Sequence, residues 1–549
     1  KQRGDTVSRE KITVAAAMVR ALEKEGVKHI FGYPGAAICP FYDEIINSDI
    51  QSILVRHEVN GGHSACGYAR ITGKPAVCVA TSGPGATNLI TAIATAHMDS
   101  IPIVAITGQV VSNQVGRDAF QEADVTGSCE PFVKHSYLVK DANEIPRIFK
   151  EAFHIANTGR RGPVLIDVPI DIQNAEVKKF AYPESVSMRT YKPTVKGNMV
   201  QIKKVAAELA KAKRPIICAG GGVLLSSAEK ELQAFCEKHE IPVVSTMMGI
   251  GVMPTRHPLY FGMVGNNGKP CANRAMNESD LLIMVGARVA DRAVNQPDLI
   301  INNKVLIHID VDPAEIGKNV GPTVPLVGDA KHIFEDLLEQ EITCEHKEWV
   351  NTLEHYRESM APKRNPNPAY VDPAGFITML SDKMQEDGIY VADVGQNQIW
   401  SCGYHIVRKG RFLTSGGMGT MGYSIPAAMG AKLADQSRQV IAVCGDGSFQ
   451  MSMMELATMR QHNIPVKIIV LKNNYLGMVR EFQHYTYQDH YSVVDLSGSP
   501  DLEKLSAAYD MKFLRLANMA QADEIIDAFL EKDESVLLEC IIDPMDLVR

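Results

Sequence analysis

The feature that most constrains the fold is a regular alternation of short apolar runs with longer segments of helical periodicity. Eight runs of four to six residues are mostly apolar. Runs that are apolar on both faces are typical of parallel strands covered by helices on two sides. The candidate strands are 76–80, 101–106, 163–168, 215–219, 281–285, 305–309, 440–443 and 466–471.

The domain organisation follows from the length and from two interruptions of this alternation. A chain of 549 residues exceeds what one hydrophobic core usually organises. Residues 180–197 are polar and contain proline, and residues 346–373 begin helical and end rich in proline, so we interpret both as linkers. The sequence therefore predicts an α/β protein with three doubly wound parallel-sheet domains, at 1–178, 195–340 and 368–549.

Charge and composition exclude several classes of protein. The 56 Lys and Arg residues and 64 Asp and Glu residues give a net charge of −8 without a basic run, so no nucleic-acid partner is expected. No apolar stretch approaches the roughly 18 residues of a membrane span, so no membrane is expected either. Residues 1–26 are predicted to form a charged amphipathic helix instead of a secretion signal. The eleven scattered cysteines favour reduced thiols and a cytoplasmic location.

A candidate metal site is formed by two strand ends in the last third of the chain. Gly445-Asp446-Gly447-Ser448 follows one candidate strand, and Asn473-Asn474 follows the next. A βαβ crossover brings two such ends side by side, so oxygens of Asp446 and Asn473 would face one point. Gly-Asp-Gly alone is common in structural turns, but its spacing from the paired asparagines favours a magnesium-bound diphosphate.

A second candidate site surrounds Glu58, which follows the apolar run 52–55 and precedes a helix of small residues. A glutamate flanked by Arg56, His57 and the later His63 would ordinarily face solvent. Its position after a strand indicates otherwise, because open α/β sheets bind ligands at the carboxyl ends of their strands. The glycines of the Ser-Gly-Pro-Gly segment that begins at residue 82 suit a tight loop at the same edge.

These motifs together resemble the enzymes that use thiamine diphosphate. From about residue 8 to 545 the resemblance is nearest to the large catalytic subunit of the acetohydroxyacid synthase (acetolactate synthase) family. It implies that Asp446 and Asn473 bind Mg²⁺ by their side chains and Tyr475 by its carbonyl. It also implies that Glu58 is catalytic and hydrogen-bonds a pyrimidine nitrogen of the coenzyme. Further implied thiamine diphosphate contacts are Pro34, Gly35, Gly83, Gly395, Gln396, Gly419, Met421, Gly445, Gly447, Ser448 and Met478.

The segment 107–139 carries the most specific part of this resemblance. It implies catalytic roles for Gln109 and Lys134 and places Phe120 at the entrance of the active site. Taken alone, Phe120 would indicate core packing and Lys134 a surface charge. Arg292 and Phe482 are implied as further substrate contacts, and a guanidinium suits the carboxylate of an acceptor ketoacid. Arg292 alone would equally fit an ion pair with a neighbouring acid.

Five glycine-bearing segments between residues 219 and 319 resemble the flavin contacts of the family in their order. A glycine trio by itself more often marks a structural turn, whereas the ordered set implies an FAD-binding domain. In this family the flavin is structural and undergoes no net redox change. The implied FAD contacts are Arg160, Gly220, Gly221, Gly222, Met248, Gly265, Gly286, Arg288, Arg292, Asp310 and Asp312.

The resemblance implies a complete reaction and its partners. The expected activity decarboxylates pyruvate on thiamine diphosphate and transfers the two-carbon unit to a second 2-oxoacid, in branched-chain amino acid biosynthesis. Mg²⁺ and FAD are the other implied cofactors. A homodimer or a dimer of dimers is the implied working unit, and a small regulatory subunit is a possible partner.

Three departures from the family pattern concern the acceptor. Phe482 stands for a tryptophan, Asn266-Asn267 for a methionine–histidine pair, and Asn397 for a histidine. The polar Asn266-Asn267 pair permits a carboligase or diketone hydrolase with another acceptor. Two further alternatives are a pyruvate oxidase of the same superfamily and a catalytically silent scaffold subunit, and the presence of Glu58, Asp446 and Asn473 argues against the scaffold.

Overall fold

The computed structural model describes residues 12–293 and 304–548. All eight predicted strands are present, and those at 76–80, 215–219 and 281–285 have the predicted ends. The shorter strands between them were not predicted, because runs of two to five residues with polar members carry little periodicity. The predicted helix over 1–26 is observed at Val14–Lys24, and residues 1–11 lie outside the described part.

The first six-stranded sheet is parallel throughout, with the strand order β3-β2-β4-β5-β7-β6. Two further short strands, β1 and β8, pair antiparallel beside it. The strands are β1 (Ile12–Thr13), β2 (His29–Tyr33), β3 (Gln51–Leu54), β4 (Ala76–Ala80), β5 (Ile103–Gln109), β6 (His135–Leu138), β7 (Val164–Pro169) and β8 (Glu176–Val177). The α-helices are Val14–Lys24, Cys39–Ile45, Glu58–Thr72, Pro84–Met98, Val125–Cys129, Ile145–Asn157 and Ile170–Gln173.

The second sheet is also parallel and has the order β11-β10-β9-β12-β13-β14. In chain order this is 3-2-1-4-5-6, the order of dinucleotide-binding sheets. Its strands are β9 (Pro215–Ala219), β10 (Val243–Ser245), β11 (Tyr260–Met263), β12 (Leu281–Val285), β13 (Val305–Asp310) and β14 (Val324–Val327). Its described α-helices are Met199–Leu209, Gly221–Leu225, Glu229–His239, Pro270–Glu278, Ala330–Leu338 and Lys347–Ser359.

The third sheet has the order β16-β15-β17-β18-β20-β19 and is parallel. The first and third sheets therefore share the chain order 2-1-3-4-6-5. The strands are β15 (Ile389–Ala392), β16 (Arg411–Thr414), β17 (Val440–Gly445), β18 (Lys467–Lys472), β19 (Lys512–Leu516) and β20 (Val536–Ile541). The α-helices are Pro373–Lys383, Gln396–Tyr404, Ser424–Ala434, Asp446–Ser452, Glu455–His462, Gly477–Tyr487, Leu502–Ala508 and Ala522–Leu530.

Three parallel six-stranded sheets with covering helices confirm the predicted α/β fold class. The residues of β4, β5, β9 and β12 are buried at every position, which explains why these strands read as continuous apolar runs. The chain forms two compact units. The first holds the residues up to Lys192 with 429–434 and 454–463, and the second holds the remainder. The predicted domain boundaries stay predictions.

The predicted linker 180–197 crosses from the first unit, which ends at Lys192, to the second, which begins at Pro193. Phe180, Tyr182, Met188 and Tyr191 pack against the core of the first unit. The sequence did not predict these contacts, because the four apolar side chains are isolated in a polar stretch and follow neither a helical nor a strand period. In the second expected linker, the helix Lys347–Ser359 buries Trp349, whose Nε1 donates to the carbonyl oxygen of Pro215 at 3.0 Å.

Two further findings concern membrane-spanning helices and the state of the cysteines. Among the described residues, no helix combines the length and the apolar character needed to cross a membrane. All eleven cysteines lie in the described residues and are free, and nine of them are buried.

Glycines join the two loops at the centre of the second sheet. Gly222 N donates to Gly286 O at 3.0 Å. A Cβ on Gly286 would lie 2.6 Å from the Cα of Gly222, and the φ of Gly286 is +53°. We expect Gly286→Ala to lower the thermal midpoint of unfolding by several degrees, because a left-handed alanine costs about 1–2 kcal/mol before any clash.

The matched control is Gly321→Ala, since a Cβ at that position meets nothing within 4 Å. Thermal unfolding followed by circular dichroism compares the two variants. Equal midpoints for both would contradict the close packing of the two loops.

Candidate active site

The predicted metal-binding residues lie at adjacent strand ends of the third sheet. The strands β17 and β18 pair directly, with Gly445 opposite Leu471. Asp446 begins the helix after β17 and is 4% exposed. Its Oδ1 accepts from Gly447 N at 3.1 Å and its Oδ2 from Asn474 N at 2.6 Å. The structure thus brings Asp446 to the end of the strand that Asn473 follows, as the crossover predicts.

Asn473 is held in place by its neighbours. Its Oδ1 accepts from the backbone N–H of Tyr475 at 3.0 Å, and its Nδ2 donates to Gln396 Oε1 at 3.3 Å. Burial raises the pKa of Asp446 to about 6, although N–H groups of Asn474 and Gly447 oppose that shift. A divalent cation beside this carboxylate would favour its ionised form. Carboxylate and amide oxygens are the donor types that Mg²⁺ prefers, so the residues present fit this ion.

Other predicted coenzyme residues surround the same edge of the sheet. Gly477 has no room for a side chain, because a Cβ there would lie 2.0 Å from Gln396 Oε1. The side chain of Met421 lies close to Gly447. A Cβ added to Gly447 would be 3.6 Å from Met421 Cε. Ser448 Oγ accepts from Gly445 N at 3.1 Å, so this hydroxyl closes the turn. Gly419, with φ +65°, and Met478, at the start of the helix Gly477–Tyr487, lie in the same unit.

Two buried acids of this region escaped sequence analysis. Asp393, which is 0% exposed, accepts from Gly422 N at 2.9 Å and from Ser424 N at 2.8 Å, and so anchors the predicted coenzyme loop. Glu481, 7% exposed, accepts from Gln396 Nε2 at 2.8 Å and from Val548 N at 3.1 Å. Asp393 is the first residue of the Asp-Val-Gly-Gln segment, in which sequence analysis identified only Gly395 and Gln396 as coenzyme contacts. Glu481 carries no local signal, because its partners are remote in sequence.

Glu58 begins the helix after β3, in the first unit. Its side chain is 13% exposed, and its Oε2 accepts from Asn88 Nδ2 at 2.9 Å. Its Oε1 lies 3.4 Å from the point where a Cβ on Gly85 would stand. Gly85 therefore lies close to both this carboxylate and the side chain of Thr81.

A cradle next to Glu58 is formed where the order of the first sheet reverses, between β2 and β4. A Cβ on Gly35 would lie 2.5 Å from Thr81 Cγ2, and one on Gly85 would lie 2.7 Å from the same atom. Gly83 has φ +56°. The Oγ1 of Thr81 is buried without a hydrogen-bond partner among the described residues. An unsatisfied hydroxyl beside a carboxylate fits a polar ring that fills this cradle. Pro34 immediately precedes Gly35 at the end of β2.

Gln109 is fixed by a buried acid that sequence analysis missed. Its Nε2 donates to Ala123 O at 2.8 Å and to Asp167 Oδ2 at 3.0 Å. Asp167 is 1% exposed and also accepts from Thr107 Oγ1 at 2.7 Å. Burial raises the pKa of Asp167 to about 7, against the effect of these donors. Gln109 therefore ties β5 and β7 to the loop before Asp124. Asp167 was hidden inside an otherwise apolar strand.

The other residues of this segment differ in their surroundings. Phe120 is 88% exposed, so core packing does not explain it. Lys134 is not a surface charge, because its Nζ donates to Thr158 O at 2.7 Å, to Tyr191 Oη at 2.8 Å and to Ile155 O. These bonds favour a structural role for Lys134, and its predicted catalytic role stays a prediction.

Most residues predicted to contact a flavin follow the strands of the second sheet. Gly220, Gly221 and Gly222 follow β9, Met248 follows β10, and Gly286 and Arg288 follow β12. Asp310 ends β13, and its Oδ1 accepts from the N–H of Asp312 at 2.9 Å. These ends meet where the strand order reverses, between β9 and β12. The close packing of Gly222 on Gly286 requires both glycines, so their presence alone does not demand a flavin.

The remaining predicted residues are scattered. Arg160 belongs to the first unit, where its Nε donates to Ser100 Oγ at 3.0 Å. Gly265 has φ +104° and packs on the backbone of Arg292, whose side chain is exposed. Arg292 O also accepts from Asn266 N at 3.2 Å. Phe482 is 58% exposed.

The pKa of Asp167 predicts a pH dependence of stability. The folded state retains this proton between about pH 4 and pH 7, where the unfolded chain has lost it. The unfolded state then binds fewer protons, so the free energy of unfolding falls as the pH rises through this window. For this one group the fall is on the order of 4 kcal/mol.

Asp167→Asn should flatten the dependence between pH 5 and pH 7.5, measured by urea denaturation at each pH. Asp49→Asn, at an exposed position, is the control and should keep the wild-type slope. A wild-type slope in Asp167→Asn would refute the assignment of this proton.

Comparison with known protein families agrees with this arrangement. Three family models match the chain: "Thiamine pyrophosphate enzyme, N-terminal TPP binding domain" over residues 12–128, the "central domain" over 202–337, and the "C-terminal TPP binding domain" over 393–540. Together they match strands of all three sheets, although β6 and β7 of the first sheet and β15 of the third lie outside the matched ranges.

Curated relatives match nearly the whole chain. The "Probable acetolactate synthase large subunit" of Methanocaldococcus jannaschii is 44% identical over 544 residues, which cover 97% of this chain and 92% of the relative. The "Acetolactate synthase large subunit" of Corynebacterium glutamicum is 41% identical over 556 residues, covering 98% and 88%. The corresponding protein of Lactococcus lactis is 41% identical over 538 residues, covering 97% and 93%. The chain therefore belongs to the thiamine pyrophosphate enzymes, and within them to the acetolactate synthase family.

Proposed function

We propose that the protein is the catalytic subunit of an acetolactate synthase. It decarboxylates pyruvate and joins the resulting two-carbon unit to a second 2-oxoacid, in branched-chain amino acid biosynthesis. The observation that carries this proposal is Glu58, which lies close to the buried hydroxyl of Thr81, a group without a hydrogen-bond partner among the described residues. Relatives named acetolactate synthase over 92–98% of the chain support the reaction.

The proposed coenzyme, thiamine diphosphate, supplies a nucleophilic carbon and an electron sink for decarboxylation when it is bound. The carboxyl group of Glu58 holds the proton that passes to and from the pyrimidine ring. Asn88 orients this group through its hydrogen bond to Oε2. Thr81 provides a hydroxyl to the same ring, and the close packing of Gly35 and Gly85 on Thr81 fixes the position of that side chain.

The proposed metal is Mg²⁺, held by side-chain oxygens of Asp446 and Asn473 and by the carbonyl of Tyr475. The described residues contain no group of three or more His, Cys, Asp or Glu side chains that could hold a metal. The proposed site has one carboxylate and would complete its coordination with diphosphate and water oxygens. The diphosphate is proposed to lie at the start of the helix Asp446–Ser452, beside this carboxylate.

FAD is the third proposed cofactor, in a structural role on the second sheet. The strand order 3-2-1-4-5-6 and the glycines at its reversal support a dinucleotide there. Asp310 and Asp312 follow β13 where ribose hydroxyls could bind. The names of the relatives do not favour the alternative of a pyruvate oxidase, and absence of flavin reduction by pyruvate without oxygen would agree with them.

The acceptor pocket is proposed to contain Arg292, Phe482, Asn266 and Asn267. A phenylalanine in place of tryptophan would weaken discrimination between pyruvate and 2-ketobutyrate by about 1–3 kcal/mol. Asn397 does not join this group, because it is 3% exposed and its Nδ2 donates to Asp393 O at 2.8 Å. The presence of Asn397 in place of a histidine therefore affects the packing between β15 and β17 and not the acceptor pocket.

Further proposals concern assembly and location. A homodimer or a dimer of dimers is the proposed working unit, because the family builds each active site from two subunits. A small regulatory subunit is a possible partner, as the words "large subunit" in the names of relatives suggest. The free cysteines support a cytoplasmic location.

Product analysis tests the proposed activity. The purified protein with thiamine diphosphate, Mg²⁺ and FAD should form acetolactate from pyruvate alone, and acetohydroxybutyrate as well when 2-ketobutyrate is added. Glu58→Gln should lower kcat about 100-fold or more, because proton transfer to the ring contributes this much. Failure of the wild-type protein to form acetolactate would overturn the synthase assignment.

Asp446→Ala tests the metal site separately. The variant should bind thiamine diphosphate in the presence of Mg²⁺ about 10- to 100-fold more weakly, since it loses the only carboxylate of the site. Titration followed by intrinsic fluorescence measures this affinity. Glu531→Gln, at an exposed position, is the control and should bind normally. Unchanged affinity in Asp446→Ala would place the metal elsewhere.

A further inference from the structure

A buried glutamate lies beneath the start of the helix that carries Glu58. Glu455 is 0% exposed and belongs to the same compact unit. Its Oε1 accepts from Arg56 N at 2.9 Å and from Asn60 Nδ2 at 2.8 Å. Its Oε2 accepts from Thr458 Oγ1 at 2.6 Å. Arg56 is two residues before Glu58 and Asn60 is two residues after it. The carboxylate of Glu455 therefore binds the chain on both sides of Glu58.

The helix Glu455–His462 holds the preceding strand end as well. Leu54 N donates to His462 Nε2 at 3.1 Å, and Leu54 O lies 3.2 Å from Thr458 Oγ1, whose single proton it shares with Glu455 Oε2. With the Arg56 N–H, three backbone groups at the junction between β3 and the Glu58 helix find their partners on this one helix. Backbone polar groups at such a junction lack the bonds of a regular element, so these partners fix its path.

A buried carboxylate at this place is informative, because burial of an ionised group opposes folding. Its pKa is raised by burial, while Thr458, Asn60 and the Arg56 N–H favour the ionised form. A glutamate that served only to fill space would be replaced by an apolar side chain without that penalty. Three donors converge on Glu455, and two of them come from the junction around Glu58.

The placement of Glu58 depends on this junction. Glu58 is the first residue of its helix, and His57 Nδ1 accepts from Val59 N at 3.4 Å as the cap of that helix. Its own carboxylate receives a hydrogen bond from Asn88 at Oε2. A shift of the backbone between Arg56 and Asn60 would therefore move the Glu58 carboxylate relative to the cradle.

We propose that Glu455 is a positioning residue, which fixes the backbone from Arg56 to Asn60 and thereby holds Glu58 at the coenzyme ring. Glu455 acts through these two neighbours and does not touch the reacting atoms. The inference rests on the proposed function of Glu58 as the group that exchanges a proton with the ring.

The test compares Glu455→Ala with Glu455→Gln in the full-length protein. Alanine removes both acceptors, whereas the glutamine oxygen can still accept from Arg56 N and Asn60. We expect kcat to fall about 10- to 100-fold in Glu455→Ala, with KM for pyruvate nearly unchanged, since small misplacements of a catalytic group have effects of this size. Glu455→Gln should recover most of the loss. Glu531→Gln serves as the control.

Two readouts do not depend on turnover. At saturating thiamine diphosphate, the exchange of the coenzyme's reactive C–H with deuterium should slow in Glu455→Ala in proportion to kcat. Amide hydrogen exchange measured by mass spectrometry should accelerate in peptides covering residues 54–62 and remain unchanged in the third sheet. If Glu455→Ala does not fold, Asn60→Ala is the alternative variant. It removes the hydrogen bond from Asn60 to Glu455 and should show the same changes to a smaller extent.

The outcomes separate this inference from the proposed function. Unchanged amide exchange over residues 54–62, or unchanged kcat in Glu455→Ala, overturns the positioning role and leaves Glu58 as the proposed proton carrier. Wild-type exchange of the coenzyme C–H in Glu58→Gln overturns the proposed function, and the positioning role of Glu455 is then wrong as well. Loss in Glu455→Ala with recovery in Glu455→Gln supports both.

Discussion

Parallel strand pairing is the constraint on which the rest of the structure depends. In a parallel sheet every strand ends at the same edge, so residues that are remote in sequence meet there without any direct signal between them. Each of the three sheets reverses its order once near its centre, at β2/β4, at β9/β12 and at β15/β17. The proposed pyrimidine, flavin and diphosphate sites follow these three reversals. Their chemistry differs because different side chains follow the strands.

The sequence predicted this architecture well where the signal was local. Fully buried central strands read as continuous apolar runs, and the turn after β17 carries Asp446 at a fixed distance from Asn473. Prediction was weaker where a side chain finds its partners through tertiary packing. Lys134 was interpreted from its motif, but its ammonium group caps carbonyls at the end of the helix Ile145–Asn157. In the predicted linker 180–197, the packing of Phe180, Tyr182 and Tyr191 on the first core had no signal in the sequence.

The residues that sequence analysis missed are mainly buried acids. Asp167, Asp393, Glu455 and Glu481 each accept hydrogen bonds from groups on other elements, many of them backbone N–H groups. None touches a proposed reacting atom, but each holds a residue or loop that is proposed to do so. A carboxylate is suited to this task because it accepts several hydrogen bonds at once, and its burial is tolerated only when they are made. No periodicity in the sequence identifies such positions, because their role depends on donors that the fold brings to them from remote parts of the chain.

The burial of the cysteines has a consequence for the chemical reactivity of the chain. Desolvation raises the pKa of the interior thiols, that of Cys129 to about 11 and that of Cys78 to about 12, so they stay protonated at neutral pH. The thiolate is the form that oxidants and alkylating reagents attack. Cys39 is the exposed member of the eleven. Electrophiles are thereby directed to Cys39 at the surface of the first unit and, to a smaller extent, to the half-buried Cys344. These two positions are the accessible attachment points for a reporter group.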